Sequence, residues 1–556
     1  MIIPVLVHLG LLWAIGVPGD LVLLTLFHGF ACYGAGRAAL RALTADSSTI
    51  HPDPTLRLVL ATMTGAILYA LLLGITLHWT TAPTPLIAIP RVAALAGAGH
   101  AGWLVYRAVS TTEASGLVGL RRTLLRHGAE ATLALVLSTC TMLGFNNSPN
   151  PTLQRTPLAY GAAATDVPSW GYQGDKGAHL VILPDQVMFE GLPNRSVGHR
   201  GVQLSLLPIV LEAGRYSAFD FVGVFKTVGF AVWLALILVL RAFGRSLYGL
   251  TERQALAMTG STIFLGAISL PLWVWPASTY SGFVKPTLST FHNTTQLASV
   301  LVGGAGALLL LEGLGRRRER DPALPLGAFL LASSFFYKPS TFTIVAPFFV
   351  GYGVLWIRSL GLARVAWLAT LCAIPVGWVA YLRYHGVGSP PLDPQLSPFL
   401  LYADRAAWRF PDFVVSTPGL LAAAILFCSF LWAALVAAPH ARRALAWRLE
   451  PESARFAIPL TVFVVGSTIS LVVVENNDRQ LFGNFAWFGH VAYLLAMPVF
   501  FWCFVHLKHA TYRIACTAAL ALHLAAGVQH LAYFTLEAKI VVPLEGPAVT
   551  SETGSD

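Results

Sequence analysis

Charge is what this 556-residue chain has least of. Only 11% of its residues are Asp, Glu, Lys or Arg, whereas a soluble globular domain carries about 25%. So few charges cannot cover a water-exposed surface of this size, and the mean hydropathy of +0.66 agrees. The composition therefore disfavours a soluble protein and indicates a chain built mostly of membrane spans.

Cysteines and the motifs of soluble chemistry are scarce as well. The six cysteines lie in apolar segments without CxxC or Cys/His zinc spacing, which indicates packed thiols and disfavours disulfides. The sequence shows no GxSxG, HExxH or Walker A pattern and no GxGxxG in a strand-helix context, so it suggests no cytosolic nucleotide site. The formal net charge of +10 comes from short basic clusters between apolar runs. This arrangement is typical of positive-inside sorting and not of a nucleic-acid partner.

Apolar runs long enough to cross a bilayer recur along the chain. A hydrocarbon core of ~30 Å needs ~20 apolar residues per helix, so the pattern predicts an all-α, polytopic bundle of about 13–15 spans. The predicted spans are roughly 2–17, 20–42, 56–79, 90–109, 129–145, 221–241, 255–275, 294–313, 323–336, 341–357, 365–384, 418–438, 456–474, 486–506 and 512–534. We expect residues 1–128 to form accessory helices, 129–534 the working core, and 535–556 a polar tail. The first helix lacks a cleavage site and is predicted to be retained.

The basic clusters predict the orientation of the chain. They are Arg121, Arg122 and Arg126; Arg241 and Arg245; Arg316, Arg317, Arg318 and Arg320; Arg442, Arg443 and Arg448; and Lys508, His509 and Arg513. Placing all of them in the cytoplasm agrees with alternating spans. The long polar segment 146–220 then lies on the external face, where we expect a large loop with short surface helices. The loops at 276–293, 386–417 and 475–485 share that face, as does the tip at Tyr337-Lys338-Pro339-Ser340.

The first candidate site lies in the long loop. Asp175 is flanked by glycine in Gly174-Asp175-Lys176, and His179 follows four residues later on the same face of a predicted helix. A carboxylate at the membrane boundary can accept a proton from an incoming hydroxyl, or it can bind a divalent metal. The alternative is a simple helix cap beside a solvated histidine. Asp166 is a second candidate for the same role.

The second candidate is the break at Tyr337-Lys338-Pro339 inside a long apolar stretch. A lysine at membrane depth costs ~3 kcal/mol on insertion scales unless it faces water or an anion. Pro339 interrupts the helix, which is tolerated where protein or a cavity satisfies the freed backbone groups. The pattern favours a phosphate contact by Lys338. The alternative is a hairpin tip whose lysine reaches lipid headgroups.

Two further polar segments are predicted on the external face. Glu475, Asp478 and Arg479 form a dense polar cluster that could orient sugar hydroxyls or a phosphate, although a short solvated loop has the same pattern. The region 386–417 and its flank combine basic and aromatic side chains. Its arginines could clamp a lipid diphosphate by bidentate contacts, or they could belong to an interfacial belt. These arginines are Arg383, Arg405 and Arg409.

Together these features resemble the polytopic glycosyltransferases of the GT-C type. The resemblance rests on the acidic residue in the first large external loop (Gly174-Asp175-Lys176 through His179), the Tyr337-Lys338-Pro339 break, and the later loops with arginine and aromatic residues. It covers roughly residues 129–534. Bacterial arabinofuranosyltransferases and mannosyltransferases are two families within it that the sequence leaves open.

The resemblance implies external transfer of a sugar from a polyprenyl-phosphate carrier to an acceptor hydroxyl, with inversion, in assembly of cell-envelope glycans or glycoconjugates. The acceptor would be a glycan, lipid or protein. Asp175 would be general base or metal ligand, while Lys338, Arg383, Arg405 and Arg409 would bind the donor phosphate. Lys176, His179, Tyr337, Glu475, Asp478 and Arg479 would contact the substrates. The alternative function is a transporter or flippase for a lipid-linked glycan or another amphiphile, which predicts ionisable residues at mid-span.

Overall fold

A computed structural model describes most of the helical part of the chain. The described residues are 2–14, 16–44, 50–79, 83–110, 127–146, 201–213, 218–266, 294–316, 321–362, most of 365–377, 394–396, 430–440, 453–477, 480–482 and 486–536. Asp175 and the other predicted residues of the long loop lie outside them.

The described residues form a helical bundle, which confirms the predicted fold class. Its helices are α1 (Ile2–Ala14), α2 (Gly19–Leu43), α3 (Pro54–Trp79), α4 (Pro83–Ser110), α5 (Gly128–Asn146), α6 (Gly201–Glu212), α7 (Ala218–Ala242), α8 (Glu252–Phe264), α9 (Thr294–Gly315), α10 (Ala323–Tyr337), α11 (Pro339–Leu355), α12 (Ile357–Leu360), α13 (Phe430–His440), α14 (Ala454–Val472), α15 (Ala486–Val505) and α16 (Ala510–Leu536). A π-helical turn, Phe243–Leu247, extends α7.

Seven of these helices have the length and hydropathy needed to cross a bilayer. They are the helical stretches Gly19–Leu43, Pro54–Thr76, Gly223–Leu247, Gln296–Gly315, Ala454–Val472, Phe488–Val505 and Ala510–Gln529. Shorter apolar helices, including α1, α10 and α11, pack beside them. The chain is thus a multi-pass helical membrane protein, as its composition predicts.

Described members of the basic clusters lie at one end of the bundle, which we call the basic end. Arg241 and Arg245 both pair with Glu252 at the start of α8. Arg455, at the start of α14, is not a member of these clusters but lies beside them, and it donates to the carbonyl oxygen of Leu247 at 2.8 Å. Arg316 follows the last residue of α9 and bonds the carbonyl oxygen of Ile50 at 3.2 Å. At this end α7 and α9 finish, while α8 and α14 begin. This is the alternation that the basic clusters predict.

Lys338 lies at the opposite end, which we call the lysine end. The Ser299 hydroxyl of α9 is 2.8 Å from the Lys338 carbonyl oxygen, while Arg316 follows the other end of α9. At 1.5 Å per residue these two positions on α9 are ~25 Å apart along its axis. Helix α11 then returns toward the basic end, because the side chain of Tyr352 near its last turn forms a hydrogen bond with Ser453 at the start of α14. The helix break predicted at Lys338 is confirmed, and the phosphate contact of its side chain stays a prediction.

Helix α6 differs from the sequence expectation for its segment. We expected short surface helices in the 146–220 loop, whereas Val202, Leu204, Leu206, Leu207 and Ile209 of α6 are all buried. The helix packs against α2, α3, α4, α7, α9 and α10. Its sequence is apolar on nearly every face, and such a helix is buried rather than laid on a surface. Helix α6 thus joins the predicted accessory helices to the predicted core.

A small antiparallel sheet is the second feature that differs from the sequence prediction. Strand β1 (Pro394–Leu396) pairs with β2 (Val473–Asn477), which pairs with β3 (Gln480–Phe482). The sequence predicted loops at 386–417 and 475–485. Backbone pairing joins them instead, with Glu475 opposite Pro394 on one side and Phe482 on the other. Two segments that are far apart in the sequence are thereby held together beyond the end of α14.

Candidate functional site

The Lys338 break is a local change of backbone direction between two helices. Lys338 has an extended backbone, with φ of −160° and ψ of 133°, and Pro339 is the first residue of α11. Proline lacks an N–H and disfavours a helical conformation in the residue before it, so α10 ends at Tyr337. The Lys338 N–H still donates to the Ser334 carbonyl oxygen at 3.1 Å. Lys338 is therefore held on a defined backbone and is half-buried.

Ser299 of α9 forms side-chain hydrogen bonds with both sides of the break. Its hydroxyl lies 2.8 Å from the Lys338 carbonyl oxygen, 2.9 Å from the Thr341 hydroxyl and 3.2 Å from the Ser334 carbonyl oxygen. A serine hydroxyl has one hydrogen to donate. The shortest geometry lets Ser299 donate to the Lys338 carbonyl oxygen and accept from the Thr341 hydroxyl, which ties α9 to the start of α11.

A second polar pair and a glycine bring α9 close to the break. The Ser340 hydroxyl donates to the Gln296 side-chain oxygen at 2.7 Å, and both residues are buried. A Cβ added at Gly303 would lie 2.4 Å from Thr341 Cγ2, a distance that real structures do not show. Glycine at this position is what lets the two helices approach closely.

Tyr337 faces α6 and not an open cavity. Its side chain is buried, and its hydroxyl lies 3.2 Å from the Ser205 hydroxyl. Because Ser205 donates to the Gly201 carbonyl oxygen at 2.7 Å, the Tyr337 hydroxyl is the donor in their contact. On the other side of α6, His28 Nε2 lies 3.1 Å from the Ser205 carbonyl oxygen. The sequence predicted a substrate contact for Tyr337, and the structure places it as an anchor of the break.

The break lies at the same depth as the sheet. Ile344 packs on Gly466 where the antiparallel helices α11 and α14 cross. Lys338 lies six residues before Ile344 on α11, and Val472 lies six residues after Gly466 on α14. Because the two helices are antiparallel, both residues lie ~9 Å from the crossing point on the same side of it. Strand β2 begins directly after Val472 and contains Glu475. The structure therefore brings Lys338 and the Glu475 segment, two of the predicted site segments, to the same end of the bundle.

The helices that flank the long undescribed segments also end there. Helix α5 starts at the basic end, where His127 and Glu130 contact Arg241, and its last residue is Asn146. Gly201, at the start of α6, packs on Tyr337, and α9 begins a few residues before Ser299. The chain therefore enters and leaves segment 147–200 at or near the lysine end, and it returns there from segment 267–293.

The remaining predicted site residues lie outside the described residues. They are Asp166, Asp175, Lys176, His179, Arg383, Arg405, Arg409, Asp478 and Arg479, while for Glu475 the structure describes the backbone. Their roles stay predictions. In the described part of the chain no group of three His, Cys, Asp or Glu side chains has the geometry to hold a metal ion. The predicted metal ligand, Asp175, is not in that part.

Sequence reasoning missed several polar residues of this site. Ser205, Gln296 and Ser299 are single small or neutral residues inside apolar runs, and only the fold shows that they converge on the break. Lys226 was also missed. It is 3% exposed within α7, and a lysine inside an apolar run is a signal that could have been read from the sequence.

The arrangement holds the backbone of a cationic residue where two short apolar helices meet. Helix α10 has 15 residues and α11 has 17, so their lengths are ~22 and ~25 Å, shorter than a ~30 Å core. A lysine at that depth suits an anionic lipid-borne group.

No protein-family model, curated protein or solved structure matches this chain.

Proposed function

We propose that this protein transfers a sugar from a polyprenyl-phosphate carrier to an acceptor hydroxyl at the lysine end of the bundle, on the external face of the cytoplasmic membrane. The supporting observation is the Lys338 break, which lies opposite the basic end at the depth of the sheet that contains Glu475. Positive-inside sorting assigns the basic end to the cytoplasm. The lysine end would then face the compartment where lipid-phosphate sugars act as donors.

In this proposal Lys338 stabilises the departing lipid phosphate. Negative charge develops on that phosphate as the glycosidic bond breaks, and a cation already in place favours the transition state more than the ground state. Ser299 and Gln296 keep the backbone of the break in its extended form, so little reorganisation is needed during the reaction. Arg405, Arg409 and Arg383 are proposed as further phosphate contacts.

Asp175 is proposed to deprotonate or orient the acceptor hydroxyl, with Asp166 as the alternative. A carboxylate within hydrogen-bond reach of the hydroxyl contributes roughly 100-fold or more to such a transfer. The chain enters and leaves its loop at or near the lysine end, which allows Asp175 to approach Lys338. A divalent metal held by Asp175 would be a second way of activating the same hydroxyl.

The test is sugar transfer by purified protein from a synthetic lipid-phosphate sugar to an acceptor glycan. Asp175→Asn is expected to reduce turnover by ~100-fold while leaving the melting temperature unchanged, because the amide keeps the shape and loses the base. Asp185→Asn, in the same loop, is the matched control and should retain activity. Full activity of Asp175→Asn would reject the proposed role of this residue.

Lys226 favours a second candidate function, transport of a lipid-linked glycan. A lysine that is 3% exposed inside a membrane helix is by default a functional residue, and charges at such depths often mark substrate pathways. Vesicles with the lipid-linked sugar confined to one leaflet distinguish the two functions. Movement of the sugar across the bilayer that Lys226→Met abolishes would favour transport. Transfer to an acceptor without such movement would favour the enzyme.

A further inference from the structure

A groove between α2, α3 and α4 opens on the outside of the bundle. Its volume is ≈ 340 Å³. Small and aliphatic residues form most of its wall, which includes Ala35, Ala38, Leu72 and Ala96. Neighbouring aliphatic side chains on α3 and α4, such as Leu68 and Leu95, are exposed on the same side. A surface of this kind on a membrane helix contacts hydrocarbon.

Basic side chains cluster where the groove approaches the basic end. Arg37 and Arg41 lie one helical turn apart on α2, on the face that carries the groove residues Gly34 and Ala38. Both arginines are near His100, which lines the groove from α4. Two cations are therefore placed at one end of an apolar channel.

An exposed tryptophan completes this cluster. The guanidinium groups of Arg41 and Arg107 each lie 5.5 Å from the centre of the Trp103 ring, and His100 stacks on the same ring at 5.7 Å. Trp103 is 46% exposed. Tryptophan with flanking arginine is typical of the headgroup level of a membrane protein, so the cluster marks the depth at which lipid phosphates lie.

The charge of two of these residues, Arg37 and Arg41, is not balanced by acids in the part of the chain that the structure describes. Within the described residues no carboxylate is at ion-pair distance from Arg37 or Arg41, whereas Arg241, Arg245 and Arg316 at the same end all pair with glutamate. An arginine without an acidic partner beside a hydrocarbon-facing groove has a natural counterion in a lipid phosphate. Guanidinium groups also match phosphate geometry.

We propose that the groove binds one anionic phospholipid, with its phosphate at Arg37, Arg41 and Trp103 and one acyl chain along α2, α3 and α4 toward Tyr69. The charge of the arginines selects an anionic lipid over a zwitterionic one. The same groove also lies against the functional site, because Tyr69 packs on His28, which contacts the α6 backbone at Ser205. The lipid is thus a structural ligand of the helices that hold α6.

Native mass spectrometry of the delipidated full-length protein tests this proposal. Phosphatidylglycerol and phosphatidylcholine with identical acyl chains are added in turn, and bound lipid is counted per chain. We expect one phosphatidylglycerol molecule per chain to bind more tightly than any further phosphatidylglycerol molecules. The double variant Arg37→Gln/Arg41→Gln should lose about tenfold in affinity for phosphatidylglycerol, because each cation near anionic lipid contributes several-fold. Its affinity for phosphatidylcholine should not change.

Two further variants keep the test decisive. Arg253→Gln/Arg358→Gln removes two exposed arginines elsewhere, at the N-terminal turn of α8 and in α12, and should leave the tight site intact. Ala96→Leu places an aliphatic side chain in the groove and should weaken both lipids. The proposal is overturned if the control double variant loses the same affinity as Arg37→Gln/Arg41→Gln, or if neither groove variant changes lipid binding. It is also overturned if the protein is a dimer in this measurement and Ala96→Leu converts it to a monomer, since the groove would then bind a second copy of the chain.

Discussion

The Ser299 hydroxyl lies 2.8 Å from the carbonyl oxygen of Lys338 and joins α9 to the break between α10 and α11. Lys338 is the N-cap of α11, so its carbonyl group accepts the first helical bond of α11, and Ser299 adds a side-chain donor to the same oxygen. The contact also fixes the backbone from which the lysine side chain extends. The geometry of the proposed phosphate site thus depends on a neutral residue that does not itself need to touch substrate.

Ser299→Ala is expected to lower the free energy of unfolding by ~1 kcal/mol, because it removes the side-chain hydrogen bonds that join α9 to the Lys338 carbonyl oxygen and to Thr341. The measurement is SDS-induced unfolding of the purified protein. Ser138→Ala is the matched control, since the buried Ser138 hydroxyl has no hydrogen-bond partner among the described residues. Equal losses from the two variants would contradict the role assigned to Ser299.

Substitution of Gly201 should disturb the break from the side of α6. A Cβ at this position would lie 2.9 Å from Tyr337 Cδ1 and 3.0 Å from the Phe336 carbonyl oxygen, so Gly201→Val must displace the break or α6. We expect a melting temperature lower by several degrees and reduced transfer activity. Gly260→Val is a control for size, because nothing lies within 4 Å of a Cβ at Gly260. Similar melting temperatures for the two variants would argue against close packing at Gly201.

Seven of the predicted spans are helices of spanning length and hydropathy in the described part of the chain, and they could be predicted because bilayer thickness and backbone hydrogen bonding leave few other solutions. The other predicted spans are shorter helices or lie partly or wholly outside the described residues. Helix α6 could not be placed in this way. Its apolar sequence is too short to read as a span, and burial among six helices depends on their tertiary arrangement. The pairing of Pro394 with Glu475 could not be predicted from the sequence either, since a three-residue strand carries almost no periodic signal.

The candidate site could likewise be predicted only in part from the sequence. Lys338 and Pro339 stand out in an apolar run, and the structure confirms the break that they predict. The residues that hold the break, Ser299 and Gln296, resemble ordinary small or neutral residues of membrane helices, so only their contacts reveal them.

The ion pair between Arg241 and Glu130 should be important for stability. Its atoms are 2.6 Å apart and both side chains are about 5% exposed, so Glu130→Gln leaves a buried guanidinium with one acidic partner fewer. We expect a loss of ~3 kcal/mol in the free energy of unfolding. Glu212→Gln breaks the more exposed pair with Arg91 and should cost less than ~1 kcal/mol. If both losses are small, the Arg241 contacts are dispensable.

Lys338→Gln should reduce sugar transfer by ~100-fold at unchanged melting temperature, because a fixed cation no longer faces the departing phosphate. Lys338→Arg should retain part of the activity, since the charge is kept and the geometry changes. Lys508→Gln removes an exposed lysine at the basic end and is the control. Initial rates at saturating donor give the comparison, and full activity of Lys338→Gln would remove this residue from the proposed mechanism.

The central claim is that Asp175 and Lys338 act at one end of the bundle. The direct test is labelling of single cysteines in intact cells with a membrane-impermeant thiol reagent. Asp175→Cys reports on the long loop, and Arg253→Cys reports on the exposed start of α8 at the basic end. We predict that Asp175→Cys is labelled from outside and that Arg253→Cys is labelled only after the membrane is opened. Labelling of both positions from the same side would place Asp175 at the end opposite Lys338 and would contradict the account.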